Sequence, residues 1–600
     1  VNLSIADGEK FKKLNIGSVG ALALFAPSSY EDRVLYTHVR NGVAQVIDVT
    51  VEHISRTPRT LKISAYAHNL SFKLELVFFS PKAYVMRQFS ANERYYIYGK
   101  IDFHGGHTQV SHPQKVTQIG MVIPKYKTPL RTDVMQRLMH DYLNVENLSS
   151  EGLPSNVIEA LLSIHFPKEI TANIFTSEQL RALKFTELYD YMSILQKKRK
   201  YFAPLFTCKS DWKRWSRTLP FKLTADQIST IEAIAKDLSS HKAARRMIVG
   251  DVGSGKTMVI LASVCIARPH RAVLMAPTTI LAQQLYEEAT KFLPDLHVIL
   301  VTNKSSNKVP LEAADFIIGT HALLYKELPE AALIMVDEQH RFGTAQRNLL
   351  EKLVSSEQKR PHFLQFSATP IPRTQAMIDS AHIDVSLITQ TPFSKNIATQ
   401  TIHKKDFPAL LEHIKKEIKQ KHQILIVYPL VEQSEMLEYQ SIDEARGFWE
   451  SRFEDVYVTH GRDKNKEQVL INFKDKGNIL LATTVVEVGI SLPRLSTVVI
   501  VGAERLGLST LHQLRGRVSR TGLQGYCYLF TYKNESERLE EFGKTGNGFD
   551  IAALDLKYRK SGDLLMGKNQ SGKQFKWVDL GEDEAVVKDV KTHLLHQGLI

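Results

Sequence analysis

Cysteine is nearly absent. Only Cys208, Cys265 and Cys527 occur in 600 residues, far apart and without a CxxC pair. That excludes a local zinc module and argues for a reducing compartment, with each thiol buried or incidental. Long hydrophobic runs are absent too: none approaches the roughly 20 residues needed to cross a bilayer. The opening "VNLSIADGEKFKKL" has no apolar h-region, so no secretion signal is expected. These absences point to a cytoplasmic protein with no membrane partner. Acidic residues are in deficit, 64 against 77 Lys and Arg, for a net charge of +13. Such a balance favours a polyanionic partner, although charge alone identifies none.

What is present is ordinary globular composition, 43% hydrophobic and 24% charged. The length is too great for one core and suggests roughly three to five domains. From about 37 to 125 the pattern is strand-like, in "VAQVIDVTVEHI", "TLKISAYA", "FKLELVFF" and "RYYIYGKID". Asn41-Gly42, Pro58 and Gly105-Gly106 break it. Some five short strands predict a small barrel of the OB type, with an immunoglobulin-like sandwich as the alternative. Residues 130–200 turn to helical spacing and end in a basic run at Lys197–Lys200. From 245 onward apolar strands alternate with helices, and after a break near Pro392 the rhythm restarts. That predicts two tandem α/β lobes on doubly wound parallel sheets, whose ligands sit at the carboxyl ends of the strands. The expected divisions are a helical segment at 1–36, the barrel at 37–128 and a helical linker at 129–205. The lobes follow at 206–395 and 396–545, and a C-terminal helical hairpin region at 546–600.

The stretch "GDVGSGKT" fits a phosphate-binding loop at Gly250, Gly253, Gly255, Lys256 and Thr257. Glycines let successive N–H groups close around phosphate oxygens, and the loop feeds a helix N-terminus. Lys256 is expected at the β/γ-phosphates of ATP, and the Thr257 hydroxyl on Mg²⁺. "LIMVDEQH" supplies a carboxylate pair: Asp337 for the metal, Glu338 to polarise the attacking water. "LHQLRGRVSR" supplies positive charge, with Arg515, Arg517 and Arg520 beside Gln513. A spacing of three puts Arg517 and Arg520 on one helical face, from which an arginine finger can reach the γ-phosphate. In the barrel, Phe78 and Phe79 end a strand. One must face the core; Phe79 is expected outside, where an aromatic can stack on an unpaired base. "WKRWSR" at 212–217 interleaves aromatic and basic residues, which suits either DNA contact or packing between domains.

In this order "APTTILAQQ" (276–284), "GTHALL" (319–324), "DEQHRFG" (337–343), "SATPIPRT" (367–374), "TTVVEVG" (483–489) and "AERLGLSTLHQLRGRVSR" (503–520) resemble a superfamily 2 helicase motor. "ALLSIHFP" (160–167), "RALKFTELYDYM" (181–192) and the tail "GFDIAALDLKYRKSGDLLMGKNQSG" (548–572) narrow the resemblance to the RecG family of branched-DNA helicases. The resemblance covers nearly the whole chain. It implies an OB "wedge", two motor lobes, and a C-terminal hairpin coupling ATP turnover to movement on duplex DNA at forks and four-way junctions, in recombination and repair. By position it implies that Gln227 reads adenine. It puts Thr278, Thr320, His321, Thr483 and Thr484 near the DNA backbone, lets Ser367 and Thr369 link hydrolysis to lobe motion, and makes Arg559 a coupling residue. A single-stranded-DNA-binding protein is a further partner it suggests. Three positions depart from the family pattern. Ser491 stands where an acidic residue is expected, Ser519 where glycine is usual, and Lys560-Ser561 where a tight Gly-Pro turn is usual. The rival readings are a transcription-repair coupling translocase and, from another class, a non-catalytic junction-binding scaffold.

Overall fold

A computed structural model describes residues 3–57, 59–104, 107–170, 174–303, 310–353, 358–369, 371–393, 396–429, 439–461, 463–483, 492–519, 522–533, 536–566 and 575–599. Two compact units emerge. One is Val1–Ser193 with Gln574–Val578 and Thr592–Leu594; the other is Ile194–Lys573 with Asp579–Lys591 and Leu595–Ile600.

The first unit holds a barrel of five main strands: β1 (Ala44–Arg56), β2 (Thr60–Ala67), β3 (Phe72–Phe79), β4 (Arg94–His104) and β5 (His107–Ser111). Their order is β1-β2-β3-β5-β4, and β4 pairs again with β1, so the sheet closes. The β3–β5 pair is parallel, the others antiparallel. This is the OB arrangement and not a sandwich of two sheets. Period-two alternation turns Ile47, Val49, Val51, Ile63, Leu74, Leu76 and Phe78 into the core. Phe79, one residue on, is 55% exposed. The expectation of a helical segment over residues 1–36 needs correction. Helices Ile5–Lys13 and Val19–Ala23 are followed by a strand, Ser29–Asp32, antiparallel to Val122–Lys125. Its short "SYED" has no helical repeat to bury, whereas edge pairing satisfies its backbone and Tyr30 Oη donates to Ile164 O at 2.9 Å. Helices Thr132–Tyr142, Ser155–His165 and most of α1 (Ser177–Lys197) complete the unit. The tail returns to it: Glu187 on α1 accepts from the N–H groups of Lys576, Trp577 and Val578 at 2.7, 2.9 and 3.1 Å.

The second unit holds both lobes. In the first, strands β6 (Arg245–Gly250), β7 (Ala272–Met275), β8 (Val298–Val301), β9 (Phe316–Gly319), β10 (Leu333–Val336), β11 (His362–Ser367) and β12 (Asp384–Ile388) form one parallel sheet in the order β8-β9-β7-β10-β11-β6-β12. The continuous apolar runs "AVLM", "FIIG" and "LIMV" are buried from end to end, as strands covered on both faces must be. Helices α2 (Ala225–Leu238) and α3 (Lys256–Ala267) pack together on one face. The second lobe repeats the plan with β13 (Ile397–Ile402), β14 (Gln423–Val427), β15 (Val456–Thr459), β16 (Ile479–Ala482), β17 (Leu495–Val501) and β18 (Gly525–Phe530), all parallel, in the order β13-β18-β17-β14-β16-β15. Two later helices matter for the site, α4 (Leu508–Arg515) and α5 (Gly548–Met566). Where the family pattern has a Gly-Pro turn that this sequence lacks, the backbone of α5 is helical through Lys560-Ser561-Gly562. Phe549 at its start packs on Met247 and Val249 of β6.

Trp212 and Trp215 are packing residues: Trp212 is buried, and Trp215 Nε1 donates to Phe292 O at 2.8 Å. All three cysteines are buried free thiols. Among the described residues no helix is long and apolar enough to cross a membrane.

Candidate active site

Strand β6 ends at Gly250, and α3 begins at Lys256. The connecting loop is built at the carboxyl end of a parallel strand and opens on a helix N-terminus, the place where anions bind. Gly253 and Gly255 sit at φ +78° and +76°, the left-handed region that glycine enters freely. A Cβ on Gly255 would stand 2.3 Å from Gln227 Nε2, and one on Gly250 2.5 Å from Ser254 Oγ. Ser254 Oγ is itself buried with no hydrogen-bond partner among the described residues. This cradle suits phosphate: at Gly250 and Gly255 it has no room for a side chain, and it opens on the N-terminus of α3. Lys256 Nζ donates to Gly250 O at 2.8 Å and Asp251 O at 3.2 Å. Thr257 lies in the first turn of α3.

Gln227 is 2% exposed. Its Oε1 accepts from Thr224 N at 2.8 Å, completing a capping box on α2, and its Nε2 donates to Ser254 O at 2.8 Å. The amide therefore braces the loop, and both its ends are engaged.

Asp337 follows β10 and is 7% exposed. Burial raises its carboxyl above the usual range, Glu338 beside it raises it further, and Lys256 opposes both. A carboxylate so placed is stabilised by a cation. Among the described residues no group of three or more His, Cys, Asp or Glu is arranged to hold a metal. Mg²⁺ on a nucleotide does not require one, since phosphates and waters supply most ligands. Glu338 adopts φ +49°, a left-handed conformation costing about 1–3 kcal/mol. Its Oε2 accepts from Ala368 N at 3.1 Å. In the same turn Ser367 Oγ accepts from Thr369 N at 3.2 Å, and Thr369 Oγ1 accepts from Gln513 Nε2 at 3.0 Å. Acid, turn and second lobe are thus joined by hydrogen bonds.

Helix α4 ends at Arg515, so Arg517 lies beyond its last turn. Gly516 caps the helix and Ser519 stands at φ +63°, which breaks the repeat and explains why glycine suits that position. Ser519 Oγ donates to Leu523 O at 2.6 Å. Arg515 is 4% exposed and donates to Phe542 O and Thr545 O at 3.1 and 2.7 Å, so it is no finger. Arg517 is half-buried beyond the helix. Arg520 lies outside the described residues.

Of the residues expected at DNA, Thr278 is half-buried and accepts from Leu281 N at 3.2 Å as a helix cap. Thr320 is 2% exposed, with its hydroxyl turned inward to Ala322 N at 3.4 Å. The hydroxyl is enclosed in this structure, and the exposed residue of the pair is His321. Thr483 is half-buried just beyond β16, while Thr484 and Ser491 lie outside the described residues. The backbone of Arg559 is in α5; its side chain is not among those described. Asp555, a possible partner of Arg559 by sequence, is 6% exposed and accepts from Leu508 N at 3.0 Å.

Sequence reasoning passed over Asp251 and His512. Both lie inside recognised motifs, yet only the fold brings them to 2.6 Å.

Residues 224–378 match the DEAD/DEAH box helicase family, and residues 405–522 the helicase conserved C-terminal domain. The ATP-dependent DNA helicase RecG of Helicobacter pylori (strain J99) is 45% identical over 609 residues, covering 98% of each chain. That of Aquifex aeolicus (strain VF5) is 33% identical over 94% of this chain and 78% of its own. A solved structure of RecG bound to a three-way DNA junction matches 99% of this chain and 84% of that one, at 25% identity and a TM-score of 0.57. Identity at this level over nearly the full length of both chains decides the assignment: the chain belongs to the RecG family of ATP-dependent DNA helicases.

Proposed function

We propose that this helicase uses ATP to remodel branched DNA, at forks and four-way junctions, in recombination and repair. One observation carries the coupling: Glu338 bonds Ala368 N, and the adjacent Thr369 bonds Gln513 of the second lobe. A change at the water-activating acid is thereby felt across the lobes. The branched substrate is supported by the similarity of nearly the entire chain to a RecG bound to a three-way junction.

Lys256 moves from the carbonyls of Gly250 and Asp251 to the β/γ-phosphates. Gln227 turns to adenine by exchanging its bond to Ser254 O, which makes base recognition loosen the loop. Thr257 and Asp337 would hold Mg²⁺, which when bound neutralises phosphate oxygens. Glu338 orients the attacking water, and Arg517 and Arg520 bring positive charge to the γ-phosphate. Ser367 and Thr369 relay the lobe motion, and Arg559 passes it to the DNA. Thr278, His321, Thr483 and Thr484 meet backbone phosphates, which positions the duplex without reading sequence. Phe79 stacks on an unpaired base at the branch, for about 1–3 kcal/mol. A single-stranded-DNA-binding protein is the proposed protein partner, and the cytoplasm the proposed location.

The test is ATP-driven unwinding of synthetic forks, four-way junctions and plain duplexes side by side. Forks and junctions should be unwound and plain duplex left intact. Equal activity on plain duplex, or none on any substrate, would overturn the proposal.

A further inference from the structure

Asp251 follows the first glycine of the phosphate loop, and three donors from three parts of the chain converge on its carboxylate. His512 Nε2 in α4 lies 2.6 Å from Oδ1, Val252 N donates to Oδ1 at 2.6 Å, and Gly548 N, the first residue of α5, donates to Oδ2 at 2.9 Å. His512 is 5% exposed and Asp251 6%.

The tautomer follows from a fourth contact. Arg515 Nη2 lies 3.2 Å from His512 Nδ1. A guanidinium has only donors, so Nδ1 accepts, and Nε2 carries the proton it donates to Asp251. The imidazole is then neutral and relays between a buried cation and a buried anion. Arg515 in turn donates to Phe542 O and Thr545 O, on the segment that leads into α5. The steric fit is equally close: a Cβ on Gly516 would stand 2.8 Å from Val252 Cγ1. Burial pushes the Asp251 carboxyl up, and the hydrogen bonds donated by His512, Gly548 and Val252 pull it below the usual carboxylate range.

The main chain of the same residue touches the engine. Lys256 Nζ donates to Asp251 O at 3.2 Å. When Lys256 leaves that carbonyl for a phosphate, Asp251 O keeps the Ser254 N–H at 3.0 Å and loses its charged donor, while its side chain stays bound to α4 and α5.

We propose that Asp251, through His512 and the Gly548 N–H, is the positioning residue that transmits the state of the phosphate loop to α4 and to the start of α5. The proposal rests on the motor reading above. It assigns no chemistry to Asp251; its carboxylate is a joint, and its loss should separate ATP turnover from its response to DNA. An interlobe contact that only stabilises the fold would not do so.

The decisive substitution is Gly548→Pro. It deletes the N–H that meets Asp251, at a first helical position where proline is tolerated. Gly548→Ala keeps that N–H and serves as control. His512→Ala removes the other donor. ATPase with and without fork DNA, the KM for ATP, fork unwinding and thermal unfolding are measured for each. For Gly548→Pro and His512→Ala, the DNA-independent ATPase and KM should stay within about twofold of the unmodified chain. Stimulation by DNA and unwinding should each fall about tenfold or more, and Gly548→Ala should match the unmodified chain. If His512→Ala does not fold, the Gly548 pair alone decides. Equal behaviour of Gly548→Pro and Gly548→Ala would overturn the joint, as would a proportional loss of basal and stimulated ATPase. If the unmodified chain shows ATPase without unwinding any branched substrate, the motor reading fails first, and the joint is still judged by DNA stimulation.

Discussion

At the scale of single residues, the cradle and the acidic pair make separable demands. Lys256→Ala removes the charge proposed for the β/γ-phosphates, and Glu338→Gln removes the carboxylate proposed to orient water. Each should lower ATPase by about a hundredfold or more, while fork binding without ATP stays within about twofold, because the barrel that carries Phe79 is untouched. Filter binding and phosphate release on one fork substrate check this, and near-normal turnover in either variant would refute the site assignment. A different residue sets a pH limit on the first unit. His165, in "ALLSIHFP", is stacked against Tyr126 and fully enclosed. Its Nε2 donates to Ala23 O at 2.8 Å, and Tyr126 Oη lies 3.0 Å from Nδ1. Burial pushes it down from 6.5 to about 4, against the opposing pull of the Ala23 carbonyl. The folded value lies below the unfolded one, so between those pH values the unfolded chain takes up a proton that the folded chain refuses. Stability is whole above about pH 6.5 and falls through the window to pH 4, by about 3 kcal/mol. Urea unfolding at several pH values should show that slope flattened in His165→Gln; equal slopes in both proteins would refute it.

Among the elements, α1 is held to the tail by one side chain. The Glu187 carboxylate accepts three consecutive N–H groups, from Lys576, Trp577 and Val578. Glu187→Ala should release them, and amide exchange at 576–578 should rise about tenfold or more, equivalent to about 1.4 kcal/mol. Unchanged exchange would mean that packing of Trp577 and Phe575 suffices. The same elements show what a sequence makes legible. Alternation in "FKLELVFF" and solid apolar runs such as "LIMV" reveal strand type, because burial on one face or two imposes the period. Glycines of "GDVGSGKT" reveal the cradle, because backbone must approach a phosphate. Three features were not legible. Helix α4 ends at Arg515 because Gly516 caps it, so Arg517 already stands outside the helical repeat. Thr320 turns its hydroxyl inward to cap the turn after β9, and a sequence does not reveal which way a threonine points. The contacts of Asp251 lie 261 and 297 residues away, between groups that no periodicity connects.

For the whole molecule, the question is how turnover becomes motion. The start of α5 is tied to the first lobe by Phe549, packed on Met247 and Val249, and to α4 by Asp555 on the Leu508 N–H. Residue 559 lies about three turns beyond Phe549 and about one turn beyond Asp555, at a rise of about 1.5 Å per residue, so a rotation of the anchored part is carried to it. On the proposed site, hydrolysis draws on the cradle, the acids and the second lobe and not on the far part of α5. Arg559→Ala should therefore leave DNA-stimulated ATPase within about twofold and lower fork unwinding about tenfold or more. An exposed Arg559 bridge to a neighbouring carboxylate would contribute under about 1 kcal/mol, and its loss would leave both activities intact. The helical backbone through Lys560-Ser561-Gly562 sharpens the contrast, since an unbroken helix carries rotation to residue 559 without a hinge. ATPase and unwinding measured on the same fork separate the cases: loss of unwinding alone assigns Arg559 to coupling, whereas parallel loss of both, or of neither, removes it from that role.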